Sequence, residues 1–400
     1  MKKLRLAIIG VGNMGSAHAR NFIVGDAHAR NIIMGTGHTR SILENKCPQI
    51  ELTAICDINP DRLAQFPDIK GFTSALELYQ SGLCDAVLIA VPHYDHPPLA
   101  KLAFESGLHV LCEKPAGVYT SQVRQMNSAA DKSGKVFAMM FNQRTDHIYR
   151  KMKELVSSGD LGEIRRVNWI ITNWYRSQCY YDSGAWRATW AGEGGGVLLN
   201  QCPHQLDLLQ WICGLPSKVH AHMHFGKWHD IEVEDDVTAY LEWKNGATGV
   251  FITSTGDAPG TNRFEITLDG GKLVAEGGKL SLWKNEVSID EFSANNTEPF
   301  GAPKVEHIEV ETDGQSSQHV GVMNAFAGAI LDGTPLIADG REGLNGLMLS
   351  NAMHLSAFSG CEVDIPFDEE IYFEYLMQRV KTSKQKEKIK EIIAKTEGSY

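Results

Sequence analysis

The feature that most constrains the fold is a glycine-rich turn directly after the first apolar strand. The predicted strand LRLAII is followed by GVGNMG, a G-x-G-x-x-G pattern that opens a helical segment. In this context the first glycine permits a tight turn, the second lets a pyrophosphate approach the backbone, and the third lets helix and strand pack closely. We therefore predict that the loop residues Gly10, Gly12, Asn13 and Met14 bind a dinucleotide at the helix N-terminus.

The order of predicted elements divides the chain into two parts. Up to about residue 140, apolar strands alternate with amphipathic helices, which is typical of a Rossmann-type doubly wound parallel sheet. After about residue 150, strands follow one another through short turns, which favours a large, mainly antiparallel sheet, and helices return later. A chain of 400 residues also exceeds what one core usually serves. We predict an α/β Rossmann domain over residues 1–143 and an α+β domain for substrate binding and oligomerisation over residues 144–400.

A tandem repeat follows the glycine turn. GSAHARNFIV, GDAHARNIIM and GTGHTRSILE occupy residues 15–44 as three copies with a ten-residue period. Their histidines, His18, His28 and His38, match no metal-ligand spacing. We interpret the repeat as a local duplication that lengthened a loop or helix.

Asp57 is the first candidate for the acidic residue that binds the adenosine ribose. Such a residue is expected about 20 residues after the glycines, whereas Asp57 lies 42 residues after Gly15. Without two of the ten-residue copies the distance becomes 22, which restores the expected spacing. A carboxylate there repels the 2′-phosphate of NADP, and no arginine follows at once, so we predict NAD as cofactor. The alternative is that Asp57 only caps the helix that begins near Pro60.

Composition excludes several other classes of function. The net charge of −11 and the lack of a Lys/Arg cluster argue against nucleic-acid binding. No apolar stretch reaches the ~18 residues of a membrane-spanning helix, so we expect neither secretion nor membrane insertion. The eight cysteines are scattered without a C-x-x-C pair, which indicates buried thiols in a reducing cytoplasm.

Two further segments place reactive side chains at the ends of later strands. AVPHYDH ends one strand, and HVLCEKP forms the next and ends in Glu113, Lys114 and Pro115. Proline disfavours helical geometry in the residue before it, so Lys114 can be directed into the crevice where α/β folds bind cofactors. A lysine partly desolvated near a positive nicotinamide has a lowered pKa and can exchange a proton with a substrate hydroxyl. The alternative is a surface lysine after an edge strand.

With these motifs the sequence resembles the Gfo/Idh/MocA family of sugar oxidoreductases over nearly the whole chain. The resemblance rests on the strand ending in E-K-P, on Trp186-Arg187, and on a GGG run followed by NQCPHQLD. It implies that Lys114 and His204 are the catalytic pair, assisted by Asn200, whose position is usually aspartate in the family. The resemblance also implies NAD contacts from Val91, Pro92, His93, His96, Glu113, Lys114 and Asn142. The implied substrate-binding residues are Lys114, Tyr175, Trp186, Arg187, Asn200 and His204.

The segment after the glycine run also has a physical interpretation of its own. Asn200, His204 and Asp207 are spaced at i, i+4 and i+7, so on one helix they share a face. Glycines before them permit close approach of backbone to ligand, which favours a functional over a structural histidine. Because asparagine is uncharged, His204 receives less stabilisation of its protonated form, and more of the proton transfer rests on Lys114.

Two other groups of residues are weaker indications. His220, His222 and His224 alternate along a predicted strand, which is more typical of a polar sheet face or subunit interface than of a metal site, and we predict no metal. Aromatic residues cluster before the glycine run, where sugar C–H faces could stack on them, although core packing explains much of the cluster. The cluster comprises Trp174, Tyr175, Tyr180, Tyr181, Trp186 and Trp190.

The sequence thus predicts an NAD-dependent dehydrogenase acting on a secondary hydroxyl of a sugar, glycoside or cyclitol, with the 3-hydroxyl of a glucoside as one candidate. One alternative is an NAD-retaining glycosidase or lyase that works by transient oxidation and elimination. Another is a non-catalytic NAD or sugar sensor, favoured only if Lys114 lies away from the nicotinamide. Leu241 and Trp243 are expected on one face of the second sheet and Tyr240 on the other, so both faces are apolar. We therefore expect a homodimer or homotetramer formed by sheet-to-sheet association.

Overall fold

The computed structural model contains two sheets, each built by one part of the chain, and describes residues 3–11, 34–384 and 386. The first sheet has six strands, all paired in parallel, in the order β3-β2-β1-β4-β5-β6. Its strands are β1 (Leu4–Ile9), β2 (Ile50–Cys56), β3 (Lys70–Phe72), β4 (Ala86–Ile89), β5 (His109–Cys112) and β6 (Phe137–Met139). The strand order reverses between β1 and β4, and α/β sheets bind ligands outside the carboxyl ends of strands at such a reversal.

Helices connect these strands. They are α1 (Met34–Leu43), α2 (Pro60–Leu63), α3 (Ala75–Gln80), α4 (His96–Glu105) and α5 (Thr120–Ser133), with short 3₁₀ turns at 93–95 and 142–145. Local sequence fixes several ends: the side chains of Asn59 and Ser74 accept the backbone N–H groups that begin α2 and α3. Gly134 ends α5 with a φ of 63°, a conformation that costs other residues energy.

The second sheet has nine strands in the order β14-β13-β12-β11-β7-β10-β9-β8-β15. Its strands are β7 (Ile164–Ile171), β8 (Lys218–Phe225), β9 (Glu234–Glu242), β10 (Thr248–Ser254), β11 (Asn262–Leu268), β12 (Gly271–Glu276), β13 (Lys279–Asn285), β14 (Val305–Glu309) and β15 (Val363–Asp364). Every pair is antiparallel except β7 with β10, so the expected fold class is confirmed. The accompanying helices are α6 (His147–Ser157), α7 (Gln178–Asp182), α8 (Pro203–Cys213), α9 (Ile289–Asn295), α10 (Gln318–Leu331), α11 (Gly343–Ser359) and α12 (Glu369–Thr382).

One face of the second sheet is covered and the other is open. Alternation along β9 and β10 buries Leu241 and Phe251 completely, while Tyr240 on the opposite face keeps 40% of its surface exposed. Helix α11 packs on β8 and α8 and covers the buried face. The open face therefore carries partly exposed apolar groups such as Val250 and Ile252.

The later part of the chain also contributes to the core of the first sheet. Val322, Met323 and Phe326 of α10 pack with Leu6 and Ile8 of β1 in one buried cluster. The first sheet therefore needs α10, which is more than 300 residues later in the chain than β1. Among the described residues, no helix is both long and apolar enough to cross a bilayer.

Candidate functional site

The glycine turn after β1 leaves no room for a side chain at its first residue. Gly10 has a φ of 88°, and a Cβ there would lie 2.4 Å from the carbonyl oxygen of Ala90. Only glycine fits this close approach of two strand ends. The other predicted loop residues, Gly12, Asn13 and Met14, lie outside the described residues, as do the first two histidines of the repeat.

Asp57 lies directly after β2 and is buried. Its Oδ1 accepts hydrogen bonds from the backbone N–H of Asn59 at 2.9 Å and from Nη1 of Arg62 at 3.1 Å. The N-cap of α2 is Asn59, whose side chain accepts from the backbone N–H of Asp61, so capping is not the role of Asp57 itself. The sequence interpretation missed Arg62, which follows Asp57 by five residues and forms an ion pair with it.

The loop after β4 is fixed by two buried histidines. The ring nitrogens of His96 lie 2.7 Å from the carbonyl oxygen of Pro115 and 2.8 Å from that of Val91, so His96 links the loops after β4 and β5. His93 Nδ1 lies 3.2 Å from the carbonyl oxygen of Glu193. Burial lowers the pKa of both imidazoles, which favours their neutral forms.

Pro92 and Asn142 occupy different environments. Pro92 precedes the 3₁₀ turn at 93–95 and is exposed. Asn142 is buried, and its Nδ2 donates to Oε1 of Gln318, at the start of α10, at 2.5 Å. The Oδ1 atom of Asn142 has no hydrogen-bond partner among the described residues, so it can accept a hydrogen bond from a ligand.

Glu113, at the end of β5, forms a buried ion pair with the third repeat copy. Nε2 of His38, in α1, lies 2.7 Å from its Oε1, and both side chains are almost fully buried. Burial alone raises the pKa of Glu113, but the hydrogen bond and charge of His38 lower it to about 2. Burial lowers the pKa of His319, on α10, to about 4, although Glu113 opposes that shift. The ring of His319 lies 5.4 Å from that of His38, so three separate segments meet behind Lys114.

Lys114 projects from β5 towards the second part of the chain. Its Nζ donates a 3.1 Å hydrogen bond to the backbone oxygen of Asn200. Burial lowers the pKa of Lys114, and the carboxylates of Glu113 and Glu193 partly oppose that shift. A lysine with a lowered pKa can act as a proton acceptor closer to neutral pH than a free lysine.

The predicted polar face of Asn200, His204 and Asp207 is corrected in two respects. Helix α8 begins at Pro203, so Asn200 lies in the turn before it. Asp207 is fully buried and accepts two hydrogen bonds from Arg144 at 2.6 and 2.7 Å, so it holds the 142–145 turn against α8. The expected helical spacing was wrong because the turn before Pro203 changes the direction of the chain.

His204 remains available for a ligand. It is 8% exposed, and its Nδ1 has no hydrogen-bond partner among the described residues. Burial and the charge of Lys114 lower its pKa well below the usual value, so its imidazole is neutral at pH 7. A neutral imidazole both donates and accepts, as a proton relay beside a hydroxyl requires.

Two buried carboxylates shape the glycine run before α8. Glu234, at the start of β9, accepts from the backbone N–H groups of Gly196 at 2.8 Å and Leu198 at 3.0 Å, and Nε2 of His354 lies 3.0 Å away. A Cβ on Gly196 would lie 2.0 Å from the backbone oxygen of Glu234. Directly before the run, Glu193 accepts a 2.6 Å hydrogen bond from the backbone N–H of Ala188 and another from Nδ2 of Asn200. The conformation of the run therefore depends on a carboxylate beside it in sequence and on one from a distant strand.

The aromatic cluster is divided between the site and the core. The guanidinium of Arg187 lies 4.6 Å from the ring centroids of both Tyr180 and Trp186, and its Nη1 donates to the Tyr180 hydroxyl at 2.8 Å. Trp186 also contacts the ring of His93 at 5.8 Å, next to the cofactor side. Tyr175 keeps 52% of its surface exposed. The buried members, whose rings are part of the core, are Trp174, Tyr181 and Trp190.

The histidine row on β8 is part of the open sheet face. The rings of His220 and His222 stack at 5.2 Å, and His224 pairs with Asp236 at 3.2 Å. Across the described residues, no group of three or more His, Cys, Asp or Glu side chains is arranged to hold a metal ion.

The described residues fit a dinucleotide. Gly10 allows the close turn at which a phosphate loop begins, and Asp57 presents a buried carboxylate at the end of β2. Unpartnered polar atoms of His204 and Asn142 supply hydrogen bonds near Lys114 for the nicotinamide end and its substrate. Hydrogen-bonding atoms left unpaired in a buried site are otherwise costly.

Sequence reasoning missed several residues of the site. Glu193 directly precedes the glycine run and Glu234 lies more than 30 residues after it, and only the position of Glu193 offered a signal. The third repeat copy did contain His38, but nothing in the sequence connected it to Glu113. Arg144 and Gln318 contact the site only through tertiary packing.

Comparison with known proteins agrees with this geometry. Residues 4–141 match the GFO/IDH/MocA oxidoreductase family with an NAD-binding Rossmann fold, and residues 149–274 match the GFO/IDH/MocA C-terminal domain. The chain is 27% identical to D-glucoside 3-dehydrogenase of Escherichia coli, over 79% of this chain and 90% of that protein. It is 23% identical to myo-inositol 2-dehydrogenase of Thermotoga maritima, over 87% of this chain and 95% of that protein.

Solved structures show the same architecture. The crystal structure of the WlbA dehydrogenase of Bordetella pertussis, in complex with NADH and UDP-GlcNAcA, superposes with a TM-score of 0.74 at 25% identity. The match covers 92% of this chain and 99% of that one, so both sheets are included.

Proposed function

The chain belongs to the GFO/IDH/MocA family of NAD-binding oxidoreductases, and from this premise we propose that it oxidises a secondary hydroxyl of a sugar, glycoside or cyclitol. The reverse reduction uses the same groups. The observation that carries the proposal is the position of Lys114, which follows a strand of the NAD-binding sheet and donates to Asn200, close in sequence to His204, whose Nδ1 has no hydrogen-bond partner among the described residues. The 3-hydroxyl of a glucoside is one candidate position, supported by the resemblance to D-glucoside 3-dehydrogenase.

The chemistry requires a proton to leave the hydroxyl as hydride leaves the carbon. When bound, NAD⁺ supplies the hydride acceptor. Lys114 in its neutral form takes the hydroxyl proton, because burial lowers its pKa and makes the neutral amine accessible. His204, neutral and buried, hydrogen bonds to the same oxygen and fixes its direction. Asn200 orients a neighbouring hydroxyl as a neutral partner.

The NAD-binding residues of this proposal come from the segments after five strands, β1, β2, β4, β5 and β6. Gly10, Gly12, Asn13 and Met14 bind the phosphates, and Asp57 binds the ribose. Support comes from the restricted space at Gly10 and from the buried carboxylate of Asp57. Around the nicotinamide we place Val91, Pro92, His93, His96, Glu113, Lys114 and Asn142. Of these, His96 and Glu113 act through the loops that they hold, because their polar atoms already contact protein groups.

The substrate side is formed by Tyr175, Trp186 and Arg187. Sugar rings present C–H faces that stack on aromatic rings, and their hydroxyls bond to a guanidinium or imidazole. The contacts of Trp186 with His93 and Arg187 support a position of this wall next to Lys114. Tyr175 is exposed enough to reach a ligand from solvent.

The test is a screen of glycosides and inositols for NADH formation by the purified full chain. Net NADH that appears with one class of substrate, and disappears in a Lys114→Ala variant, supports the dehydrogenase. Cleavage of a glycosidic bond without net NADH would instead indicate the NAD-retaining glycosidase or lyase. NAD binding without any turnover across the panel would favour the sensor, an outcome that the position of Lys114 argues against.

We also propose that the chain forms a homodimer or homotetramer through the open face of the second sheet. Tyr240 is 40% exposed there, and Val250 and Ile252 are only partly buried. Light scattering at micromolar concentration should give a dimeric or tetrameric mass, and Tyr240→Asp should lower it. A monomeric mass for the wild type would contradict the proposal.

A reducing, cytoplasmic compartment fits the cysteines. All eight are free, and six of them are buried. Thiols in this state persist where glutathione and thioredoxin keep cysteines reduced.

A further inference from the structure

A buried carboxylate directly before the glycine run faces Asn200. Glu193 is 2% exposed, and its Oε1 accepts a hydrogen bond from Nδ2 of Asn200. Its Oε2 accepts from the backbone N–H of Ala188 at 2.6 Å. A carboxylate therefore lies beside position 200, although the residue there is neutral. Burial raises the pKa of Glu193, and the positive charge of Arg187 and the hydrogen bonds from Ala188 and Asn200 oppose that shift and favour the ionised form.

The neighbouring carboxylates are engaged elsewhere. Glu113 is paired with His38 at 2.7 Å, and Glu234 accepts two backbone N–H groups of the glycine run. Of these three buried carboxylates, Glu193 is the one that contacts the side chain of Asn200. Its backbone oxygen also lies 3.2 Å from Nδ1 of His93, so the residue is held at both ends.

Asn200 connects this carboxylate to the lysine. Its backbone oxygen accepts from Nζ of Lys114 at 3.1 Å, while its side-chain amide donates to Glu193. A negative group close to a desolvated ammonium stabilises the charged form. We propose that Glu193 is a positioning residue that supplies, through Asn200, the negative charge that an aspartate at position 200 would carry.

The charged groups around Lys114 shift its pKa in opposite directions. Burial lowers the pKa of Lys114, and the guanidinium groups of Arg176 and Arg187 lower it further. Glu193 and Glu113 act in the opposite direction. The titratable groups that face Lys114 are Glu113, Glu193, Arg176, Arg187, His93, Cys202, His204 and His319. The titratable groups that face Glu193 are Arg187, Glu234, Tyr181, Lys114 and Lys386.

The consequence concerns both directions of the reaction and rests on the proposed dehydrogenase function. Oxidation needs neutral Lys114 to accept the hydroxyl proton, and reduction needs protonated Lys114 to return it. Glu193 keeps the protonated form accessible despite burial. Without its charge, the pH limb set by Lys114 moves to lower pH in both directions, and reduction at neutral pH slows.

The first variant is Glu193→Gln, which keeps the size of the side chain. Its amide can still accept from Ala188 and donate to Oδ1 of Asn200, so the run keeps its hydrogen bonds. We expect the acid limb of the kcat profile for oxidation to move to lower pH. The matched control is Glu163→Gln, which removes an exposed carboxylate just before β7 and should leave the profile unchanged.

The charge can also be moved rather than removed. Asn200→Asp alone places two carboxylates in contact, and like charges at this distance cannot both ionise, so activity should fall. The double variant Glu193→Gln/Asn200→Asp restores one carboxylate and one amide with the hydrogen bond reversed. We expect its pH profile to match the wild type and its kcat to recover to within about threefold, whereas independent structural losses would multiply.

A measurement without substrate separates this proposal from the proposed function. The pH dependence of Lys114 acetylation by acetic anhydride, followed by mass spectrometry, reports the protonation of the lysine directly. Its midpoint should move to lower pH in Glu193→Gln and return in the double variant. Unchanged midpoints in both would overturn the proposal, as would an Asn200→Asp variant that keeps wild-type activity and profile. If Glu193→Gln does not fold, Asn200→Asp alone and the double variant still decide the matter.

Discussion

The NAD-binding and substrate-binding sides of the site are built in different ways. On the NAD side several residues follow a strand directly, as Gly10 follows β1, Asp57 follows β2 and Glu113 follows β5. On the substrate side Glu193 and His204 are oriented by groups from distant elements, such as Glu234 of β9, which holds the glycine run between them. Strand ends place side chains by chain order alone, whereas the substrate side depends on contacts between segments.

Lys114 belongs to the NAD side by position and to the substrate side by chemistry, so its removal should have the largest effect. General acid–base groups contribute about 10²–10⁴-fold, and we expect Lys114→Ala to lower kcat by that factor while NAD still binds. His204→Ala should lose less, because its neutral imidazole orients the oxygen rather than removing the proton.

Steady-state kinetics with titration of NAD binding checks both variants. The matched control is Lys101→Ala, an exposed lysine of α4 that should behave as wild type. A nearly normal Lys114 variant beside an inactive His204 variant would transfer the base role to the histidine.

The two sides are held together by Arg144, and breaking that link should affect stability rather than chemistry. The guanidinium of Arg144 and the carboxylate of Asp207 are both buried and form a bidentate pair. Removing one partner of a buried pair leaves an uncompensated charge, so Arg144→Met should lower the free energy of unfolding by about 3–5 kcal/mol.

Denaturant titration measures this loss, and a parallel change at the surface provides the control. Arg150→Met removes an exposed pair with Asp313, which should cost at most about 1 kcal/mol. Arg144→Met/Asp207→Leu should recover much of the lost stability, because neither charge then remains buried without a partner. Equal losses of unfolding free energy for Arg144→Met and Arg150→Met would show that the buried pair stabilises the fold no more than the exposed pair does.

Asp57 tests the NAD side by itself. Its replacement by alanine removes the carboxylate that accepts hydrogen bonds from the ribose hydroxyls and should weaken NAD binding by about 1–3 kcal/mol, roughly 5- to 150-fold. Because Arg62 is then released from its ion pair, the variant should also bind NADP better than the wild type. Calorimetry with both cofactors measures this, and Asp57→Ala/Arg62→Ala should lose the gain for NADP. Unchanged affinity for both cofactors would refute the ribose assignment.

The junction behind Lys114, where His38, Glu113 and His319 meet, should make the stability of the fold sensitive to acid. His319 has a folded pKa of about 4, lowered by burial from 6.5, so the unfolded state binds more protons between these values. Stability therefore falls as the pH drops from 6.5 to about 4, by at most about 1.4 kcal/mol per pH unit for one proton. Glu113, with a folded pKa of about 2, adds a loss in the same direction between about 4.5 and 2.

The variant His319→Asn removes one of these two titrating groups. Unfolding free energies measured at several pH values should show a shallower slope between pH 4 and 6.5 than the wild type. His147→Asn provides the control, since this histidine contacts Thr312 away from the junction. An unchanged slope in His319→Asn would show that another titrating group causes the acid sensitivity.

The sequence predicted the strands and the two kinds of sheet because apolar periodicity and turn residues are local signals. It also predicted Lys114, because Pro115 restricts the backbone beside it. It could not predict the Glu193–Asn200 contact or the pairing of Asp207 with Arg144, since each depends on the path of the chain between them. The helical spacing of Asn200 and Asp207 was misleading, because α8 begins only at Pro203.

Shortening the tandem repeat should have the smallest effect of these changes. It also tests directly which residues belong to the NAD side. The third copy contains all of α1 except its first residue, Met34, and His38 of this helix contacts Glu113. Deletion of residues 15–34 joins Met14 to Gly35, which preserves the G-x-G-x-x-G pattern and leaves Asp57 22 residues after its last glycine.

The shortened chain should therefore keep both the phosphate-binding pattern and the ion pair behind Lys114. NAD affinity and kcat should change by no more than about twofold, the effect of substitutions that leave packing and charge pairs intact. His38→Ala should be more harmful than His18→Ala in the full-length chain, because Nε2 of His38 contacts the buried carboxylate of Glu113 at 2.7 Å. If the deletion abolished NAD binding while the protein remained folded, the first two copies would themselves be part of the cofactor site, and the NAD side would depend on more than strand ends.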